Sequence, residues 1–162
     1  MIKVFVMKRH ISYLKYVLRH KWYVLLACRI TGASLWRGLT HDMSKFLPSE
    51  WMAYSACFYD EDGRKQFVKS EAFYEAWRHH KLRNPHHWEW WIEHALTREM
   101  DECYVYEMVA DWIGAGQAIS GRHEVHSWYE KNKSSMILHP RTRELVDRIM
   151  NTVPADDVSV RQ

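Results

Sequence analysis

The sequence predicts an all-α protein, and three observations carry that prediction. Apolar side chains recur at helical spacing along most of the chain. Only six glycines and four prolines occur in 162 residues, which favours long helices over many turns. No segment is strand-rich. With 47% apolar and 14% aromatic residues, the chain is rich enough to bury a core as one domain. That domain is expected over residues 1–152, with 153–162 a polar, disordered tail.

From Lys8 to Thr31 the positions Ile11, Leu14, Val17, Leu18, Val24, Leu25, Cys28 and Ile30 keep helical spacing. They fit one long helix, or two with a bend near His20-Lys21, and Gly32 supplies the stop. Ser34 to Thr40 reads as a short connector, with a helix beginning at His41-Asp42. Pro48 disfavours helical geometry at Leu47 and suits a first helical turn, so a short aromatic helix follows through Phe58. Tyr59 to Arg64 is a polar turn. Its Asp60-Glu61-Asp62 run lacks the other oxygen ligands of a calcium loop.

A further helix is expected over Phe67 to Lys81, then a connector through Pro85. A long helical stretch from His86 through Trp112 towards Gly114 and Gly116 comes next, with a break allowed around Thr97 to Cys103. Glu124 to Lys131 forms a short helix, Lys133 to Ser135 a loop, and Arg141 to Thr152 the final helix.

Composition narrows function by exclusion. A formal charge of +3 with mixed signs gives no strong nucleic-acid signal, though a nucleotide substrate is compatible with it. The longest apolar run, Trp22 to Cys28, is too short to span a bilayer, and the N-terminus lacks the features of a secretory signal. Cys28, Cys57 and Cys103 are widely spaced and odd in number, so they read as reduced thiols of a cytoplasmic protein. Oligomers are compatible with all of this.

Eleven histidines, several of them clustered, point to a metal. Imidazole and carboxylate are ligand types that divalent transition metals readily share. His41 and Asp42 are adjacent, and adjacent helical residues diverge by about 100°, so both reach one ion only at a helix end or bend. Read alone, the pair is an ordinary helix start capped by Thr40. The remaining candidate ligands are His20, His79 or His80, His86 or His87, and Asp111, all on different segments. Asp111 lies four residues after Glu107 in an otherwise apolar run, where an acid needs a partner.

His20-x3-Val24, then Leu39-x-His41-Asp42-x2-Lys45, then Asp111 within Met108-Val109-Ala110-Asp111-Trp112, resembles the H…HD…D pattern of HD-domain metal-dependent phosphohydrolases. The resemblance runs from Lys15 to Ala118, roughly two thirds of the chain. It implies a compact HD-like helical bundle with His20, His41, Asp42 and Asp111 as metal ligands and Lys45 as a catalytic phosphate contact or a structural partner. Two-metal members place two more histidines between the HD pair and the last aspartate. His80 and His87 are the expected counterparts, with His79 and His86 as alternates. The run His86-His87-Trp88-Glu89 departs from the His-His-Glu of the HD-GYP phosphodiesterases, and the GYP triad is missing. The chain is also similar to a small uncharacterised phage and bacterial family placed near the HD group.

The implied activity is hydrolysis of a small phosphorylated substrate, nucleotides included, by water activated on one or two divalent ions (Mn, Fe, Co, Zn or Ni). Lys81 and Arg83 are expected to meet the substrate's phosphate charge, and no membrane is involved. Two alternatives share the scaffold: a di-iron oxygenase similar to myo-inositol oxygenase, and a metal-binding or interaction protein without turnover.

Overall fold

The computed structural model describes residues 2–94 and 96–157, with side chains from Met7 onward. Its helices are α1 (Ile2–Thr31), α2 (Leu35–Thr40), α3 (Pro48–Phe58), α4 (Glu71–Arg83), α5 (Glu102–Ser120), α6 (Val125–Asn132) and α7 (Pro140–Thr152). A two-stranded antiparallel hairpin, β1 (Ile92–Glu93) with β2 (Leu96–Thr97), is the one sheet among the described residues. The protein is all-α.

The chain forms two compact units, each assembled from discontinuous segments. The first comprises Met1–Arg19 and Asp42–Asn84, the second His20–His41 and Pro85–Gln162.

In the first unit the apolar faces of α3 and α4 pack together, which buries Tyr54, Cys57, Phe73 and Ala76 with Tyr13 and Val17 of α1. Pro48 stands in the first turn of α3, as its fixed φ favours. The fourth helix is shifted from its expected range of 67–81. Ser70 caps it by accepting from the Phe73 amide at 3.3 Å, so it begins at Glu71 and Phe67 lies outside, 62% exposed. A polar turn at 60–64 is held by the Arg64 amide donating to Asp60 Oδ1 at 2.8 Å.

The second unit is built on α5 and α7. Leu145, Val146, Ile149 and Met150 form the buried stripe of α7, and they join Val105, Met108, Val109 and Ile113 of α5. Val24, Ala27 and Cys28 of α1 complete that core. Gly32 ends α1 with φ 89, as expected of a C-terminal glycine.

Four sequence expectations are corrected here. Ser34 to Thr40 is not a connector: it contains α2, where Gly38 lies so close to Leu25 and Cys28 that a Cβ would meet atoms at 2.9–3.1 Å. His41-Asp42 follows a helix instead of starting one; Asp42 is left-handed (φ 54), and a 3-10 turn, Met43–Phe46, comes next. Residues 86–112 do not form a long helix, because a 3-10 turn at Trp88–Trp91 and the hairpin intervene before α5; Ala95 lies outside the described residues. Gly114 and Gly116 are interior to α5, and Gly121, with φ 76, stops it.

Of the tail expected to be disordered, residues 153–157 hold defined contacts. Asp156 accepts from the amides of His126 and Ser127, and Asp157 exchanges backbone and carboxylate bonds with His123. Residues 158–162 lie outside the described residues.

Candidate metal centre

In the second unit, four segments bring three imidazoles onto one carboxylate. His20 is on α1, His41 in the turn after α2, His86 in the loop before the Trp88–Trp91 turn, and Asp111 in the middle of α5. His20 Nε2 and His41 Nε2 each lie 3.2 Å from Asp111 Oδ1, and His86 Nε2 lies 3.9 Å from Oδ2. The three histidines are 1–2% exposed and the Asp111 side chain 15%.

Each position has a local cause. Gly114, one turn beyond Asp111, lets α5 approach α1 so closely that a Cβ there would lie 2.7 Å from the Val24 backbone nitrogen. One turn before Val24 stands His20, so this close approach sets the His20–Asp111 distance. His41 is held by its own carbonyl, which accepts a short hydrogen bond from Lys21 Nζ. The His86 loop is pinned where Trp91 Nε1 donates to the Pro85 carbonyl at 2.7 Å.

A carboxylate behind the imidazoles completes the arrangement. Glu107, one turn before Asp111 on the same face of α5, accepts from His41 Nδ1 at 3.0 Å with Oε1, and His86 Nδ1 is 3.3 Å from that oxygen. Arg37 donates to Oε2 at 3.0 Å. Burial alone would raise the Glu107 pKa, but the hydrogen bonds and charge of His41 and His86 outweigh it and push it down to about 2. Burial likewise opposes ionisation of Asp111, and attraction to His41 with the contacts of His20 and His41 holds it well below the usual carboxylate range.

This donor set fits a divalent transition metal. Zinc–nitrogen and zinc–oxygen bonds of about 2.0–2.1 Å put tetrahedral ligand atoms roughly 3.3 Å apart, close to the 3.2 Å separations here. With neutral imidazoles, two carboxylates and one guanidinium leave a net negative charge, which suits a cation. The group His41, His86 and Glu107 also has ligand atoms within 4.8 Å of one another.

The first unit holds a second buried group. His80 Nδ1 is 2.9 Å from Glu50 Oε2, and its Nε2 is 3.2 Å from Asp42 Oδ1. Asp42 also pairs with Lys45, and Glu50 with Arg83 at 3.1 Å. The Ser44 hydroxyl donates to Glu50 Oε2 at 2.9 Å. Burial lowers the His80 pKa, but Asp42 and Glu50 outweigh it and raise it above the ordinary value. Two carboxylates and two cations make this group close to charge-balanced on its own.

The structure thus gathers His20, His41 and Asp111 in one unit and Asp42, Lys45 and His80 in the other. Of the adjacent pair, the alternate His86 is the one on Asp111 and Glu107; His87 has its ring 4.3 Å from that of His86. Arg83 is bound to Glu50, and Lys81 Nζ lies 5.3 Å from the centre of the Trp77 ring. Glu107 and Glu50 were not expected at either group. The four-residue spacing from Glu107 to Asp111 was the signal for one; Glu50 reads in sequence as an ordinary acid in a helix's first turn.

A model described as a family of unknown function (DUF5662) matches residues 9–152. The chain belongs to this DUF5662 family. The matched segment includes every residue of both buried groups. Neither the curated proteins nor the solved structures contain a match to the chain. Among the described residues, no helix is long and apolar enough to cross a membrane.

Proposed function

We infer that this DUF5662 chain binds a divalent transition metal through the Nε2 atoms of His20, His41 and His86 and the carboxylate of Asp111, and that it is a metal-dependent phosphohydrolase. The observation that carries the metal is the convergence of three buried imidazole nitrogens on one ionised carboxylate. Structural ion pairs seldom spend three buried imidazoles on one acid, whereas a metal uses each of them.

The hydrolytic chemistry is supported by the resemblance of His20, His41-Asp42 and Asp111 to the H…HD…D pattern. Hydrolysis needs, beyond these protein ligands, a coordination position open to water. An ion held there would supply Lewis acidity and lower the pKa of a bound water towards neutral. The chain's part is to orient that chemistry. Asp111 contributes negative charge, the imidazoles are fixed by burial, and Glu107 takes hydrogen bonds from the far side of the rings. The substrate is a small phosphate ester, nucleotides included.

The test is tag-free protein reconstituted separately with Mn, Fe, Co, Zn and Ni, and assayed on phosphomonoesters, phosphodiesters and nucleotides. Metal-dependent phosphate release that is lost in Asp111→Ala supports the reading. Metal-loaded protein that hydrolyses none of them contradicts hydrolysis, and an oxygen-dependent colour change of the iron form would redirect it to oxygenase chemistry.

A further inference from the structure

Two sides of the buried histidine group compete for a cation. On one side the Nε2 atoms of His20, His41 and His86 face Asp111. On the other, the Nδ1 atoms of His41 and His86 face Glu107 Oε1 at 3.0 and 3.3 Å. Both sides offer a carboxylate and at least two imidazoles, so ligand types alone do not choose between them.

Hydrogen bonding and charge do choose. A neutral imidazole carries one N–H, and the bond it makes fixes which nitrogen is left with a lone pair. Glu107 is held from behind by Arg37, whose Nη1 donates to Oε2 at 3.0 Å. Arg37 is held in turn against the face of Tyr104, with its Cζ 4.2 Å from the ring centre. A divalent ion on Glu107 would stand beside that guanidinium. Asp111 meets the Nε2 atoms of His20, His41 and His86.

We propose that Glu107 is the positioning residue of the metal centre: anchored by Arg37, it accepts hydrogen bonds from the Nδ1–H groups of both His41 and His86, turns both Nε2 lone pairs towards Asp111, and so assigns the ion to the Asp111 side. This rests on the metal-centre reading above. One carboxylate thereby sets the tautomer of two ligands on different segments. The carboxylate–histidine–metal arrangement is a general means of raising ligand basicity, and losing such a partner typically weakens metal binding by about 10–100-fold.

The test uses the full-length, tag-free protein titrated with Co(II), read by visible absorption and X-ray absorption, beside Glu107→Gln and Arg37→Gln. Wild type is expected to bind with three imidazole nitrogens. Glu107→Gln is expected to keep that nitrogen count and the cobalt band positions while its affinity falls about 10–100-fold. Arg37→Gln is expected to fall less. A Glu107→Gln protein that changes coordination number overturns the proposal, because Glu107 is then a ligand; unchanged affinity overturns it as well.

Nitrogen-15 spectra of the zinc-loaded wild type read the tautomers without any variant. Protonated Nδ1 with metal-bound Nε2 at His41 and His86 is expected, and the reverse overturns the proposal even if Glu107→Gln fails to fold. Wild type that takes up neither metal fails the metal reading and the proposal together. Metal-binding wild type with the wrong tautomers fails the proposal alone.

Discussion

His41 Nε2 lies 3.2 Å from Asp111 Oδ1, although seventy positions of sequence separate the two residues. A buried contact of that range holds two distant parts of the second unit together, and in the metal reading it also defines the centre. The two roles make different predictions for one substitution. Asp111→Ala is expected to lower bound metal at least tenfold, measured by metal analysis after equilibrium dialysis. A variant that loses thermal stability but retains its metal would make Asp111 a structural partner only.

Gly114 and Gly116 are two residues apart on α5 and should respond oppositely to alanine. A Cβ at Gly114 would meet Val24 Cγ2 at 2.5 Å and the Val24 nitrogen at 2.7 Å, so α5 must shift away from α1. Gly114→Ala is expected to destabilise the fold by about 1–3 kcal/mol. It should also weaken metal binding, since His20 lies one turn from Val24. At Gly116 the nearest atom is the Arg122 carbonyl oxygen at 4.0 Å. Gly116→Ala is expected to stabilise by about 0.5–1 kcal/mol through the lower entropy of the unfolded chain. Urea unfolding of both variants checks the pair, and equal signs would contradict the close helix approach.

Glu50 is fully buried between His80 and Arg83. Glu50→Ala leaves the buried His80 without its carboxylate while the half-exposed Arg83 turns to solvent, and a buried polar group left without its partner typically costs about 1–3 kcal/mol. Denaturant titration should show a loss of that order. A loss below about 0.5 kcal/mol, the range of ordinary surface substitutions, would mean that Glu50 does not organise the first unit.

Asp156 provides a pH test remote from either buried group. Burial works against its ionisation, but hydrogen bonds from the Ser127 hydroxyl and the Ser127 and His126 amides outweigh that and lower its pKa. A lowered carboxylate pKa contributes stability that is present above the unfolded-chain value, about 3.9 for aspartate, and is lost as pH falls through the folded value. The carboxylate also satisfies two otherwise unpaired amides at the start of α6. Protection of the His126 and Ser127 amides, taken relative to their intrinsic exchange rates, should therefore be high at pH 6 and fall as the pH drops through the lowered Asp156 value. Asp156→Asn should flatten that dependence, and the same fall in Asp156→Asn would exclude Asp156 as its cause.

The parts of the fold that were legible are those where one helix carries its own signal. The helical course of α1, Gly32 as its stop, Pro48 opening α3 and the apolar face of α7 all depend on residues a turn apart, although Ile11, Leu14, Leu18 and Ile30 of the expected α1 stripe are exposed and only Val17, Val24 and Cys28 of it are buried. The connection from His41 to Phe46 was not legible, because a left-handed Asp42 and a short 3-10 turn leave no periodic trace. The six-residue α2 likewise depends on Gly38 wedging against Leu25 and Cys28, a tertiary fact. Trp88-Glu89-Trp90-Trp91 has the composition of a helix start, yet the hairpin after it is too short for a two-residue alternation to show.

The candidate site divides the same way. His20, His41 and Asp111 carried a pattern of order and spacing that survives folding, and the structure brings them together. Choosing between His86 and His87 required the direction of a loop residue, which periodicity does not supply. Glu107 was visible as the residue one turn before Asp111, but its role depends on Arg37 and His86, both distant in sequence. Asp42, joined covalently to His41, meets Lys45 and His80 within the first unit.

The central claim is a transition metal on His20, His41, His86 and Asp111. The most direct test is a metal inventory of tag-free protein, as purified and after reconstitution, by inductively coupled plasma mass spectrometry. Wild type is expected to hold about one ion per chain, as a mononuclear site does, with Asp111→Ala well below it. No bound metal in wild type after gentle purification and reconstitution would contradict it.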